Sequence, residues 1–205
     1  MGILERKERE REEMRRLILE AAQKLFLANG YEKVSIRNIA DEIEYSPATI
    51  YLYFKDKNEL FFALHQQAFR KLINEFAPIA HLQTPMDKLE EMGRLYIRFA
   101  FENPELFDLM FIMNAPMDAI ECREDIWDDG HQAFQVLQNV VQECIDSGAI
   151  QHPDAERAGL MIWSTVHGLA ALFLRKRMMI FGEERKKTLM DEAYDLFVQT
   201  IRKGL

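Results

Sequence analysis

Cysteine is scarce in this chain of 205 residues, which has only Cys122 and Cys144. Two cysteines so far apart do not make the disulfide framework of a small secreted protein, so we expect reduced thiols in a cytoplasmic protein. The N-terminus is charged rather than apolar, which argues against a signal peptide. Because the sequence has no glycine-rich phosphate loop, serine nucleophile motif or paired-cysteine motif, we expect neither an enzyme nor a cofactor.

Proline and glycine, which interrupt helices, are also few, with six and nine residues. Runs that alternate apolar and polar residues, as strands do, are rare, whereas helix-favouring residues dominate. The sequence therefore predicts an all-α fold of about nine helices. The first ends at Asn29-Gly30, and the others are predicted at 36–43, 47–54, 57–77, 86–101, 104–113, 120–147, 154–181 and 184–203.

An overall excess of basic residues is missing too, because the formal net charge is −8 at pH 7. Residues 1–57 nevertheless balance 11 basic against 11 acidic side chains, and the other 148 residues have 15 and 23. The N-terminal part can therefore present a local basic face to nucleic acid while the acidic remainder lies away from the phosphates. Residues 5–16 mix Glu and Arg, which predicts either a solvated helical extension or an arm that lays Arg6, Arg9 or Arg11 on DNA.

The segment Val34–Leu60 has the pattern of two short helices joined by a tight turn. Apolar residues from Ile36 to Ile43 recur on one helical face, and Ser46-Pro47 is typical of a helix start. In the second helix Ile50 and Phe54 share one side, while small and polar residues cover the others. Such a helix can lie in the major groove of DNA. Asp56 or Asn58 is expected to cap the helix that follows.

The order Ser35-Ile36-Arg37-x-Ile39-Ala40, then Ser46-x-x-Thr49-Ile50-Tyr51-x-Tyr53-Phe54-Lys55-x-Lys57-x-x-Leu60, resembles the DNA-binding domain of the TetR family of bacterial repressors. The resemblance covers about the first third of the chain. It implies a three-helix helix-turn-helix domain over 1–60 and a helical ligand-binding and dimerisation domain over 61–205. In the turn, Glu44 stands where the family usually has glycine, so we expect a left-handed backbone there.

The resemblance also implies which residues meet the DNA. Arg37 is expected to contact a guanine edge or a phosphate, and Pro47 and Ala48 a thymine methyl group. Tyr51 and Tyr53 point in different directions, so at least one hydroxyl is expected to be exposed. The alternative is that both tyrosines pack the small domain. The predicted DNA-binding set is Arg37, Ser46, Pro47, Ala48, Thr49, Tyr51, Tyr53, Lys55 and Lys57.

The C-terminal part is rich in large, soft apolar residues, which favours an apolar or aromatic small-molecule effector over a charged one. Ordinary core packing is the alternative. The sequence Trp163-Ser164-x-x-His167-Gly168 resembles a Trp…His-Gly motif of one TetR subgroup, places both rings on one face, and indicates a close helix approach at Gly168. The predicted ligand-binding residues are Met92, Tyr96, Phe99, Met110, Met113, Trp127, His131, Phe134, Trp163 and His167.

By resemblance, the last two long helices pair with their copies in a second chain, which makes a homodimer that binds a near-palindromic DNA operator. The predicted interface residues are Leu169, Leu172, Phe173, Leu196, Phe197, Thr200 and Ile201. The resemblance implies repression, and we expect the effector to release DNA by displacing the long helix that starts at Lys57.

Other functions remain open at this stage: a constitutive DNA binder without an effector, a helical enzyme that uses Asp128 and His131 with a metal, or a helical oligomer with a vestigial N-terminal domain. A lone carboxylate–histidine spacing is common, so no metal is expected. Residues 158–174 lack charges, but a span needs about 20 apolar residues. We predict a buried helix there and no membrane partner.

Overall fold

A computed structural model of the chain describes residues 2–113 and 128–204, and for Ile3, Asp128 and Lys187 it describes the backbone only. The described residues form helices and no β-strand. The α-helices are α1 (Ile3–Asn29), α2 (Ile36–Glu42), α3 (Pro47–Tyr51), α4 (Lys57–Glu75), α5 (Pro85–Glu102), α6 (Pro104–Phe111), α7 (Asp128–Asp146), α8 (Ala155–Leu174) and α9 (Glu183–Gly204). Short 3-10 helices span Ala77–His81 and Arg177–Ile180. The predicted all-α fold is confirmed.

The chain divides into two compact units. The head contains the residues up to Ala68 and those that start at Glu105, and the body contains Phe69–Pro104 and the residues from Asp128 onwards. The change from head to body falls inside α4, so one continuous helix belongs to both units. The division at residues 60 and 61 stays a prediction.

Buried aromatic rings organise the core of the head. Phe26, Tyr31 and Phe61 are at most 5% exposed, and their ring centroids lie 5.3–5.8 Å apart. The same core includes apolar side chains of α1 to α4 and of the turn after α3 that are at most 1% exposed, namely Ile18, Ala22, Ile39, Ala40, Ile50, Phe54 and Leu60. Burial of each of the Ile, Leu and Phe side chains contributes about 1.5–3 kcal/mol, which fixes α2 and α3 against the longer helices.

Helix α6 belongs to the head rather than to the body. Its residues Phe107 and Leu109 are at most 1% exposed. The backbone oxygen of Met110 lies 3.3 Å from Nε2 of the buried His65 on α4. A segment distant in sequence from the first three helices therefore completes the unit that contains them.

In the body, α5 packs against α7 and α8, and α8 packs against α7 and α9. The Tyr194 hydroxyl of α9 donates to the Glu90 carbonyl of α5 at 2.6 Å. Arg94 pairs with Asp195 at 2.8 Å, and Arg202 pairs with the Glu90 carboxylate at 2.9 Å. These contacts hold the last helix along α5.

Two polar contacts attach the C-terminal half of α4 within the body. The Arg70 Nε donates to Asp129 Oδ1 of α7 at 3.0 Å, and the Lys71 ammonium donates to Asn103 Oδ1 at 2.6 Å. The Asp129 side chain is only 8% exposed, so its ion pair is screened less than a surface pair. The end of α4 is therefore held from two directions.

Several helix ends differ from their predicted positions. Helix α3 ends at Tyr51 rather than Phe54, because the N–H groups of Leu52 and Tyr53 bond only three residues back, to the Thr49 and Ile50 carbonyls, which tightens the last turn. Helix α8 ends at Leu174 rather than at residue 181, because Lys176 adopts a left-handed backbone with φ of +54°. Sequence reasoning used the later glycine as the stop and missed a left-handed lysine. The predicted helix 120–147 is described only from residue 128.

Candidate functional site

Helix α3 presents a short polar face at the surface of the head. Ile50 is fully buried and anchors the helix, whereas Pro47, Ala48 and Tyr51 are exposed. The Tyr51 side chain is 56% exposed, so the expectation that at least one of the two tyrosines is exposed is confirmed. Tyr53, the other one, is half-buried. The exposed face has the small size and hydrogen-bonding character that suit a DNA groove.

The turn before α3 orients this face. Glu44 has a φ of +60°, as expected from its place in the turn, and a left-handed backbone there is unfavourable for any residue except glycine. Ser46 Oγ then accepts from the Thr49 N–H at 3.2 Å and lies 3.0 Å from the Thr49 hydroxyl, which confirms Ser46 as the cap of α3. Both hydroxyls therefore first serve the helix start.

Basic side chains flank α3. Arg37, the second residue of α2, and Lys55 are exposed, while Lys57 at the start of α4 is half-buried. The Lys57 ammonium donates to the Tyr31 carbonyl at 3.0 Å and lies 4.0 Å from the centroid of the Tyr31 ring. An ammonium has three N–H donors, so this contact orients Lys57 and leaves donors for another acceptor. Asp56 caps α4 by accepting from the Glu59 N–H at 2.8 Å, as predicted.

Arg15 of α1, which sequence reasoning missed, holds the chain just after α3. Its guanidinium lies 4.3 Å from the centroid of the Phe54 ring, and its Nη1 donates to the Tyr53 carbonyl at 3.4 Å. No spacing rule relates residues 38 positions apart, so only the folded head reveals this support.

In the body, four of the predicted ligand-binding residues come together between α5, α7 and α8. The Tyr96 hydroxyl lies 2.8 Å from His167 Nδ1 and accepts from the Trp163 indole N–H at 3.4 Å. The Trp163 ring lies 6.0 Å from both His167 and Phe134. Burial raises the pKa of Tyr96 above its ordinary range and lowers the pKa of His167. We call Tyr96, Phe134, Trp163 and His167 the aromatic cluster.

Comparison with protein families decides the identity. The N-terminal residues 18–64 match the model of the bacterial regulatory proteins of the tetR family, and residues 89–198, more than half of the chain, match the model of the tetracyclin repressor-like C-terminal domain. The chain belongs to the TetR family. The part that matches the N-terminal model of this family of bacterial regulatory proteins, residues 18–64, lies within the head.

Individual relatives of this TetR-family protein are regulators as well. The fatty acid metabolism regulator protein of Bacillus subtilis is 24% identical over 151 residues, which are 73% of this chain and 77% of the relative. The crystal structure of FadR from Bacillus subtilis in complex with stearoyl-CoA superposes with a TM-score of 0.73 at 21% identity, covering 89% of this chain and 96% of that one. The chain spans only 30% of the length of YuxN from Bacillus subtilis and 36% of SAB2452 from Staphylococcus aureus, to which it is 31% and 39% identical over 91 and 67 residues.

Not every residue predicted for the effector site joins the aromatic cluster of this TetR-family body. Met92 and Phe99 of α5 are buried core residues, and His131 of α7 is exposed. Met110 and Met113 belong to the head unit. Trp127 lies outside the described residues. Residues of one helix therefore differ in whether they lie in the core, at the surface or in the aromatic cluster. Apolar periodicity alone does not distinguish these positions.

The predicted dimer residues also differ in placement. Leu172 and Leu196 are 46% and 64% exposed, and Leu169, Phe173 and Phe197 are half-buried. Thr200 is exposed, but its hydroxyl donates to the Leu196 carbonyl. The predicted interface position of Ile201 needs correction. This side chain is 2% exposed, so it lies in the core of its own chain and has almost no surface to offer a partner.

The prediction that another helix of the same chain closely approaches Gly168 is wrong, since a Cβ there would meet no atom within 4 Å. The close approach is at Gly93 instead, where a Cβ would collide with the Tyr194 hydroxyl. Within residues 2–113 and 128–204, no group of three or more His, Cys, Asp or Glu side chains is placed to hold a metal. For Asp128, considered with His131, only the backbone is described.

Proposed function

We propose that this TetR-family regulator is a cytoplasmic, non-enzymatic repressor that binds a near-palindromic operator as a homodimer and leaves it when an apolar small molecule binds the body. The DNA-binding part of this proposal is supported above all by α3, whose Ile50 is fully buried while Tyr51 on another side is 56% exposed. In this scheme residues 1–60 read DNA, and residues 61–205 bind the effector and the second chain.

On the DNA, α3 enters the major groove with Pro47, Ala48 and Tyr51 at the base edges, and Arg37 contacts a guanine or a phosphate. Thr49, Tyr53, Lys55 and Lys57 hold the backbone, which fixes the position of α3 without reading sequence. The N-terminal turns of α1 add Arg6, Arg9 and Arg11 as an arm. Two heads in a two-fold dimer then address half-sites about one DNA turn, or a multiple of it, apart.

The exposed apolar surface of the last helices supports a homodimer. By length and composition, helix α8 could cross a membrane. Only 28% of its most apolar 18-residue stretch is buried within the chain. Leu160, Met161 and Leu172 on α8 and Leu196 on α9 are each at least 46% exposed. Apolar surface of this kind is typical of a protein–protein interface. A second copy that packs α8 and α9 against their equivalents would cover it without a membrane.

Relatives support the class of effector. A regulator of fatty acid metabolism covers most of this chain, and a structure with the same fold was solved with stearoyl-CoA. The Trp…His-Gly sequence that suggested a TetR subgroup supplies Trp163 and His167 of the aromatic cluster. We propose an effector with a long apolar chain. Helix α4 begins in the head, and Arg70 and Lys71 hold its C-terminal half in the body. In this scheme the effector and DNA favour different positions of α4, so each weakens the binding of the other.

DNA binding is tested by selecting bound fragments from a random duplex library with the purified full chain at low salt. A near-palindromic consensus, with a footprint on the chain's own upstream region, is the expected result. The measured stoichiometry should be two chains per pair of half-sites. If no sequence is enriched and no duplex is retained at low salt, the proposed function is wrong.

Effector response is tested with a panel of apolar molecules, scored by melting temperature and by the affinity for the selected operator. A true effector should raise the melting temperature and weaken operator binding together, because it stabilises one of two body states. If a panel of acyl, aromatic and aliphatic compounds changes neither the melting temperature nor the operator affinity, the protein is a constitutive DNA binder without an effector.

A further inference from the structure

The C-terminal end of α3 directs one leucine away from the core of the head. Ile50 is fully buried and Phe54, four residues later, is 1% exposed, whereas Leu52 between them is 76% exposed. Each residue of a helix is rotated by about 100° from the one before, so residues two apart point to different sides. With Ile50 and Phe54 anchored in the core, Leu52 therefore lies on the outer side of α3.

The backbone at Leu52 is fixed, although the side chain is exposed. Its φ and ψ angles of −73° and −18° are helical, and its N–H donates to the Thr49 carbonyl at 3.2 Å. The residues that follow are held as well, because Arg15 donates to the Tyr53 carbonyl and lies over the Phe54 ring. The position from which the Leu52 side chain leaves α3 is thus set before binding, which lowers the entropy cost of a contact there.

Ala48 shares the outer side of α3. It comes four residues before Leu52, which places the two side chains on one helical face, and it is exposed too. This aliphatic face belongs to the helix that the proposed function places in the major groove. Among the groups by which base pairs are distinguished in that groove, the thymine methyl is the apolar one, and the others are hydrogen-bond donors and acceptors. An aliphatic side chain on this face matches thymine better than any other base.

We infer that Leu52 is a specificity-determining residue that packs on the C5-methyl group of a thymine in each half-site. The inference rests on the proposed function, since it assumes that α3 lies in the major groove of an operator. The leucine and the methyl group leave water together, which favours thymine by about 4-fold per half-site, as burial of one methyl-sized group predicts. Both half-sites contribute in a two-fold dimer, so the preference for the whole operator is about 15-fold.

Deoxyuridine tests this contact, because it pairs as thymine does and lacks only the methyl group. Each thymine of the selected operator is replaced in turn, at the equivalent position of both half-sites, and the affinity is measured by fluorescence anisotropy. For the wild type we expect a loss of about 15-fold at one or more positions. Leu52→Ala should bind the unmodified operator more weakly by a similar factor. At one of those positions the loss of the methyl group should then cost this variant nothing more.

Two further variants separate the methyl contact from other contributions. Leu52→Met keeps an apolar side chain of similar volume and should keep most of the methyl dependence. Lys55→Ala should weaken binding to every duplex equally and keep the full methyl dependence, because a phosphate contact does not depend on the base. The melting temperature of Leu52→Ala should equal that of the wild type, since the side chain is exposed.

The outcomes distinguish this inference from the proposed function. If the wild type selects no operator, the proposed function fails and the role of Leu52 fails with it. If the wild type selects an operator whose half-site has no thymine, or if Leu52→Ala binds the operator as tightly as the wild type, only the role of Leu52 is overturned. The same holds if every deoxyuridine substitution changes the affinity of Leu52→Ala and of the wild type by equal factors.

Discussion

Lys57 at the start of α4 is directed back onto Tyr31: its ammonium donates to the Tyr31 carbonyl at 3.0 Å and lies 4.0 Å from the ring centroid. Burial raises the pKa of Tyr31 to about 12, so the ring stays neutral at physiological pH and its face attracts the cation. The contact joins the turn that follows α1 to the start of α4.

Lys57→Ala should therefore have two effects, whereas Lys55→Ala should have one. Each variant removes one phosphate contact, which weakens DNA binding for every sequence and lowers the slope of log K against log salt by about 0.9. Lys57→Ala should also lower the melting temperature, because it loses the contacts to Tyr31. Salt titrations and thermal unfolding measure the two effects. An unchanged salt slope would show that the lysine makes no phosphate contact.

Tyr51→Ala should cost about 1–3 kcal/mol of operator binding, because it removes a side chain from the face that meets the bases. The residue is 56% exposed, so the melting temperature and the dimer should stay as in the wild type. Band shifts on the selected operator and on an unrelated duplex provide the measurement. Normal operator affinity in this variant would place the reading face elsewhere.

Gly93→Ala should destabilise the body. A Cβ at residue 93 would collide with the Tyr194 hydroxyl group, which donates to the Glu90 carbonyl. Such overpacking typically costs about 1–3 kcal/mol. Gly159→Ala is the matched control, since a Cβ there has ordinary contacts, the nearest at 3.7 Å, and gains helix propensity. Urea unfolding should rank Gly93→Ala below the wild type and Gly159→Ala at or above it.

Acid should weaken the junction between α5 and α9. Arg202 and Arg94 donate to the Glu90 carboxylate and hold its pKa below the ordinary value of 4.5. A carboxyl group with a lowered folded pKa stabilises the fold above pH 4.5 and loses this contribution as the pH falls through the folded value. The stability gap between the wild type and Glu90→Gln, measured by urea unfolding, should shrink on acidification. A gap independent of pH would mean that the pairing adds nothing.

Leu196→Glu and Leu172→Glu should each shift the dimer towards monomer, because they place charge on the exposed apolar surface of α9 and α8. Leu4→Glu is the control for association alone, since Leu4 is 83% exposed in the N-terminal turns of α1, which form the proposed DNA arm. Sedimentation velocity measures the association. Operator affinity should fall with the dimer, because a single head reads only one half-site. Dimers of normal stability in both variants would locate the interface on another surface.

Local rules on the sequence gave correct starts for several elements. Ser46 caps α3, and Asp56, one of the two predicted candidates, caps α4. These predictions succeed because a cap depends on neighbours within three residues. The ends at Tyr51 and Leu174 were missed because neither has a proline or glycine to mark it.

The sequence by itself determined the helical class, the order of the first four helices and the exposure of at least one of Tyr51 and Tyr53, because apolar periodicity and caps act over one or two helical turns. Tertiary structure decided that α6 joins the head, that Ile201 is buried in its own chain and that Arg15 supports the chain after α3. It also brought the Tyr96 hydroxyl to His167, 71 positions away. Contacts between distant residues depend on how whole helices pack, and no local pattern of residues encodes that packing.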